Sequence, residues 1–266
     1  MSKKISLNMK LKIGMFLLFV FLTVVFYILL PKINLMYYFW LYESFLHRII
    51  VIMVIVLIGY VIDVNLRRKI YKNLLCLLDE KLEVYTYIDK VSQEYTVSKK
   101  ALYKDFYANN LSVAYFEINE FEKVIFYLNL INTKSKKGYY RKDPVLYYYN
   151  YINVLLKSNK KEEAKDMYNQ KLNKNNLKLK NVSKEMLELL EANLYEKNDR
   201  IFKCVQTLLS QKISKRLEMH CKFWLAEYNE KNNNIEKAVE YYKYVSENGK
   251  DLYLKKLSDD KLIELK

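Results

Sequence analysis

Glycine and proline are scarce in this 266-residue chain, which has four glycines and two prolines. Antiparallel β architectures use these residues at their many turns, so the scarcity argues against a β-sandwich or a β-barrel. The composition therefore predicts an all-α fold. A chain of this length has room for one or two domains and for a sizeable core.

Cysteine is also rare, and its arrangement excludes two common uses. Cys76, Cys204 and Cys221 are odd in number, widely spaced, and form no C-x-x-C pair. Neither a disulfide framework nor a zinc site is indicated, and a reduced compartment fits best.

Catalytic signatures are missing as well. The sequence has no G-x-G-x-x-G, P-loop, H-E-x-x-H or nucleophile-elbow motif, and its only histidines are His47 and His220. The adjacent His220-Cys221 pair suggests a base and a nucleophile, but neighbours on a helix point about 100° apart and do not face each other. A structural role is the simpler interpretation. We therefore expect no enzymatic activity, no cofactor and no metal site.

Two long apolar runs lie near the N-terminus. About residues 13–30 comprise 18 positions without a charge, long enough for a membrane-spanning helix. The alternative is a cleaved signal peptide, but no small-residue cleavage site follows. About residues 47–64 contain a shorter run, Ile49–Ile62, which predicts a second span, with a core or interfacial helix as the alternative.

The basic residues near these runs predict an orientation. Cytoplasmic segments carry an excess of Lys and Arg. This rule predicts a multi-pass cell-membrane protein whose N-terminus and C-terminal domain are both cytoplasmic. In this interpretation residues 1–72 are the anchor. The bases expected at the lipid surface are Arg67, Arg68, Lys69 and Lys72.

The remainder of the chain is polar and basic. Residues 73–99 read as an amphipathic connecting region of one or two helices. The net charge of the whole chain is +15, which favours anionic lipid or, alternatively, nucleic acid. Acidic residues are interspersed among the basic ones, as in Lys160-Lys161-Glu162-Glu163, so we do not expect nucleic-acid binding.

Internal similarity follows from about residue 100. Small or slim residues recur at Val124, Ala164, Cys204 and Ala238, which are 40, 40 and 34 residues apart. A recurrent period in this range indicates a helical solenoid. Five residues before each of these positions lies an Asn or Asp that we expect to be an N-cap. These residues are Asn119, Asn159, Asp199 and Asn233.

This pattern resembles the tetratricopeptide repeat family. The closest unit has Leu225, Ala226, Ala238, Tyr242 and Val245 at the positions that the family pattern requires. The resemblance implies that residues 100–266 form stacked helix pairs with a C-terminal capping helix at about 251–265. It also implies a concave groove that binds peptides. The groove candidates that it indicates are Asn109, Tyr149, Asn153, Lys157, Asn193, Lys197 and Glu227.

Together these features predict a membrane-anchored scaffold or adaptor that binds a protein or peptide partner at the cytoplasmic membrane face. An alternative is a peptide-sensing regulator that uses the same groove, and a less favoured one is a nucleic-acid binder. An ordinary polar solenoid surface would give the same groove residues. The abundance of Lys, Asn, Ile, Tyr and Phe indicates an AT-rich bacterial genome.

Overall fold

The computed structural model describes residues 45–133, 144–173, 177 and 179–265. All regular secondary structure in these residues is α-helical, which confirms the all-α prediction. The helices, numbered in chain order, are α1 (Phe45–Asp79), α2 (Val84–Val97), α3 (Ala101–Glu117), α4 (Phe121–Asn129), α5 (Pro144–Lys157), α6 (Lys161–Lys171), α7 (Lys184–Leu194), α8 (Asn198–Leu209), α9 (Lys215–Lys231), α10 (Ile235–Asn248) and α11 (Tyr253–Glu264). The chain divides into two compact units, Met1–Asn73 and Leu74–Lys266.

None of the helices in the described part of the chain is long and apolar enough to cross a membrane. This finding contradicts the predicted multi-pass localisation with two cytoplasmic termini. The second predicted span, about 47–64, belongs to α1, and its uncharged run Ile49–Ile62 has only 14 residues. As a helix this run rises about 21 Å, which is less than the roughly 30 Å of a hydrocarbon core. The first predicted span, about 13–30, lies outside the described residues.

The bases predicted to contact lipid lie on the same helix as the second predicted span. Arg67, Arg68, Lys69 and Lys72 lie on α1, beyond its apolar run. Their predicted contact with lipid depended on the membrane localisation, and the structure does not test that contact separately.

Four pairs of consecutive helices follow α2, and within each pair the two helices pack together: α3 with α4, α5 with α6, α7 with α8, and α9 with α10. In every pair a residue with positive φ lies two positions after the end of the first helix, with φ of 64°, 59°, 54° and 57° in the four pairs. Its N–H bonds to the carbonyl three residues back, and the next N–H bonds to the carbonyl five residues back. This is the Schellman motif, which satisfies the last carbonyls of a helix. The four positive-φ residues are Asn119, Asn159, Glu196 and Asn233.

The N-cap prediction for the repeated Asn and Asp residues is therefore wrong. Asn119, Asn159 and Asn233 adopt the left-handed conformation one residue before the cap, a conformation that Asn tolerates better than most residues. The actual caps of α4, α6, α8 and α10 make no side-chain capping hydrogen bond. These caps are Glu120, Lys160, Lys197 and Asn234.

The third pair differs from the others in where its turn falls. Its left-handed residue, Glu196, precedes Cys204 by eight positions, whereas Asn159 precedes Ala164 by five. Helix α8 therefore begins three residues earlier, and Asp199 lies in its first turn. Because three residues are close to one helical turn, Cys204 still faces the core.

The largest buried apolar cluster joins the beginning and the end of the second unit. It contains Tyr87 of α2 and Leu111 of α3 together with Phe223 of α9 and Tyr242 of α10. The rings of Phe223 and Tyr242 meet edge-on, with centroids 5.6 Å apart. The first and last helix pairs thus share one core, and this brings their polar side chains together.

Candidate functional site

Helix α3 is the element on which the polar interior is built. It packs against α2, α4 and α5, and its C-terminal end also meets α9 through side chains. A helix covered on several sides needs few solvent-facing positions, yet α3 retains polar residues where it is buried. These buried polar residues are Asp105, Asn109, Asn110, Ser112 and Glu117.

Glu117 forms the centre of a charged cluster. Its Oε1 accepts a hydrogen bond from Arg216 Nη1 at 2.7 Å, and its Oε2 lies 2.8 Å from His220 Nε2. Arg216 also donates through Nε to Asp79 Oδ1 at 2.8 Å. Arg216 and His220 are four residues apart, which places them on one face of α9. The cluster consequently connects the end of α1, the end of α3 and the start of α9.

Electrostatics explain why Glu117 is ionised although its side chain is only 2% exposed. Burial raises the pKa of Glu117, but His220 and Arg216 outweigh that effect and hold the pKa at about 2, below the ordinary 4.5. Burial likewise lowers the pKa of Arg216, and Glu117 and Asp79 more than compensate, so its pKa is raised. Since an ionised Glu117 only accepts hydrogen bonds, Nε2 of His220 carries the proton that it donates.

Tyr149 and Cys221 lie in the same interior. Burial raises the pKa of Tyr149 to about 12, although a hydrogen bond with Asn153 acts in the opposite direction. Burial also raises the pKa of Cys221 to about 12, which keeps the thiol protonated and unreactive. With Cys221 fully buried and His220 bound to Glu117, the structural interpretation of the His220-Cys221 pair is favoured.

Of the predicted groove residues, Asn109 is buried and Tyr149 is partly buried. Oδ1 of Asn109 accepts from Nδ2 of Asn150 at 3.1 Å. Tyr149 lies within the interior around Glu117 and Arg216. These two side chains support the packing of α3 and α5 rather than an open surface.

Each of the two predicted groove asparagines makes the same kind of hydrogen bond within its own helix. Nδ2 of Asn153 donates to the carbonyl of Tyr149, and Nδ2 of Asn193 donates to the carbonyl of Leu189, both at 2.9 Å. Each side-chain amide therefore uses one of its N–H donors within its own helix. They stand at different heights, because Asn153 precedes the left-handed turn of its pair by six residues and Asn193 precedes its own by three.

The remaining groove candidates are charged. Lys157 and Lys197 are exposed, and Lys197 lies over the ring of Tyr195 at 5.4 Å. Glu227 is partly buried and makes no hydrogen bond or ion pair within the described residues. Burial raises the pKa of Glu227, while the charges of Lys157 and Lys231 lower it. The structure thus brings Lys157 and Glu227 into one electrostatic environment.

Sequence reasoning missed the Glu117 cluster. Asp79, Glu117 and Arg216 carried no local motif, and His220 was considered only with its neighbour Cys221. The one available signal was the position of Glu117 directly after the apolar run Val113-Ala-Tyr-Phe116. Among the residues that the structure describes, no three His, Cys, Asp or Glu side chains form a group suited to a metal ion.

Comparison with known proteins gives no further guidance. Neither a protein-family model, nor a curated protein, nor a solved structure matches this chain.

Proposed function

We propose that the second unit is a helical-repeat solenoid of the tetratricopeptide type, and that it acts as a scaffold or adaptor by binding a segment of a partner protein. The shared turn of the four helix pairs supports the repeat interpretation, because the same backbone hydrogen bonds recur at each left-handed residue. Stacked repeats create an extended surface of first helices, which is the surface that such proteins use for binding.

The observation that carries the proposal is the state of Glu227. Burial raises the pKa of Glu227, and carboxylates whose pKa is perturbed in this way are concentrated at binding sites. Glu227 lies on α9, and Lys157, which acts on it electrostatically, lies on α5. A partner segment that offers backbone N–H groups or a basic side chain would bind to the Glu227 carboxylate.

A peptide-library selection against the full chain tests this function. The enriched peptides should bind with an affinity that falls at least tenfold in Glu227→Gln, because the amide loses the charge. The matched control is Glu240→Gln, since Glu240 is exposed on the neighbouring helix α10. Failure to enrich any peptide, or equal affinity for both variants, would contradict the proposal.

The Glu117 cluster favours a second candidate, a peptide-sensing regulator. It connects the first and the last helix pair through Arg216, so a ligand that changes the spacing of the helices would have to break or tighten these contacts. Hydrogen exchange of the α9 backbone amides should then change when a selected peptide binds. Exchange that is identical with and without the peptide would leave only the scaffold function.

A further inference from the structure

Asn110, in the middle of helix α3, differs from the other buried polar residues of that helix. Asp105, Asn109, Ser112 and Glu117 each make at least one hydrogen bond through the side chain. Asn110 is only 8% exposed, yet in the part of the chain that the structure describes its buried Nδ2 has no hydrogen-bond partner.

An unpaired amide at this position lowers the stability of the free chain. A buried N–H group that makes no hydrogen bond has lost its contact with water without gaining another partner. An alanine or a leucine at position 110 would avoid that loss, and both residues favour a helix more than Asn does. The folded free chain therefore does not explain why an amide lies here.

The position of Asn110 on its helix connects it with the charged cluster. Asn110 and Glu117 are seven residues apart, which is nearly two helical turns, so they lie on the same face of α3. On that face Glu117 meets Arg216 and His220 of α9. The amide therefore belongs to the polar interior that contains Glu117.

We infer that Asn110 is a partner-binding residue and that its Nδ2 donates to a backbone carbonyl oxygen of the bound segment. This inference rests on the proposed function and names the group that the partner presents at one position. An N–H donor requires an acceptor, and every residue of a peptide offers a neutral one in its carbonyl oxygen. A partner carboxylate suits the position less well, because it would enter the same interior as the ionised Glu117.

Because Asn110 is buried, the bound segment reaches its amide only after a local separation of the helices around α3. Helix α3 packs against α2, α4 and α5, whereas the polar contacts on the face of Asn110 are those of Glu117 with α9. The opening therefore lies between α3 and α9. The affinity that is measured includes the cost of this opening.

Urea denaturation of full-length variants tests whether the amide is unpaired. We expect Asn110→Ala or Asn110→Leu, or both, to unfold at a urea concentration no lower than the wild type does. Asn109→Ala is the contrasting variant, and it should unfold at a lower concentration because Nδ2 of Asn150 loses its acceptor. If both Asn110 variants unfold below the wild type, the inference is overturned, since the amide then has a partner in the free chain, such as a buried water.

Binding of the peptides selected against the full chain tests the role of the amide. Their affinity should fall about tenfold in the more stable of the two Asn110 variants, because the partner carbonyl loses its donor. The matched control is Gln206→Ala, which removes an exposed amide on α8 and should leave the affinity unchanged. Equal affinity of the wild type and the Asn110 variant would overturn this inference and leave the proposed function standing. A selection that enriches no peptide would overturn both.

Discussion

The substitution Glu117→Gln tests whether the buried cluster stabilises the second unit. The variant keeps the shape of the side chain but removes the charge that faces Arg216 and His220. Each pKa unit corresponds to about 1.36 kcal/mol, so a pKa lowered from 4.5 to about 2 contributes about 3 kcal/mol to the free energy of unfolding at neutral pH. We expect Glu117→Gln to lower that free energy by about this amount.

Urea denaturation followed by circular dichroism gives the measurement. The matched control is Glu162→Gln, because Glu162 pairs with Lys165 at 2.7 Å while its own side chain is 83% exposed. An exposed pair of this kind contributes less than about 1 kcal/mol. If the two variants lose the same stability, or if Glu117→Gln loses less than about 1 kcal/mol, the reasoning about the cluster is refuted.

The pH dependence of the same variant gives a second check. The pKa of Glu117 is lower in the folded state than its ordinary value, so its contribution is complete above pH 4.5 and is lost as the pH falls towards 2. The stability difference between the wild type and Glu117→Gln should therefore shrink over this window. A difference that stays constant down to pH 2 would contradict the assignment.

Three further predictions concern the turns and the buried residues. Asn159→Ala should lower the free energy of unfolding by about 1 kcal/mol because Asn159 has a φ of 59°, whereas Asn159→Gly should change it by only a few tenths; urea denaturation measures both, and equal effects would contradict the turn. Under native conditions at pH 8 an alkylating reagent should label the partly exposed Cys76 well before the buried Cys221, whose pKa is about 12, and mass spectrometry of the labelled peptides would expose the opposite order. Gly249→Ala should lower the melting temperature, at a cost of about 1–3 kcal/mol, because the new Cβ would lie 2.7 Å from the carbonyl oxygen of Val245; an unchanged melting temperature would mean that the α10–α11 corner relaxes freely.

The helices could be predicted from local sequence patterns, whereas contacts between residues far apart in the sequence could not. The spacing of Val124, Ala164 and Ala238 identified the second helices, because small residues and left-handed asparagines recur within a few positions of one another. The third pair was aligned through Cys204, and its turn was therefore misplaced by three residues. When the start of a helix moves by nearly one helical turn, the same residues still form its apolar face. The hydrophobic pattern therefore does not reveal where the turn lies.

The candidate site was less predictable for a related reason. The position of a residue within its repeat suggested which side chains lie on the exposed face of the first helices. That position does not determine how closely neighbouring helices pack over those side chains. Asn109 was expected on an open face and is instead buried, whereas Tyr149 is partly buried. The partners Glu117 and Arg216 are 99 residues apart, and no local pattern connects residues at that distance.

The contacts of Arg216 also affect how the chain unfolds. In an open stack of helix pairs, each pair touches only its neighbours, and the ends can fray while the middle remains folded. Here a single guanidinium links α9 to residues 99 and 137 positions earlier, so detaching the last pairs exposes a buried carboxylate in the first one. Loss of either end therefore propagates to the other, and the second unit should unfold in one transition. Such distant contacts also make folding slow, because the chain must close a long loop before it gains their stabilisation.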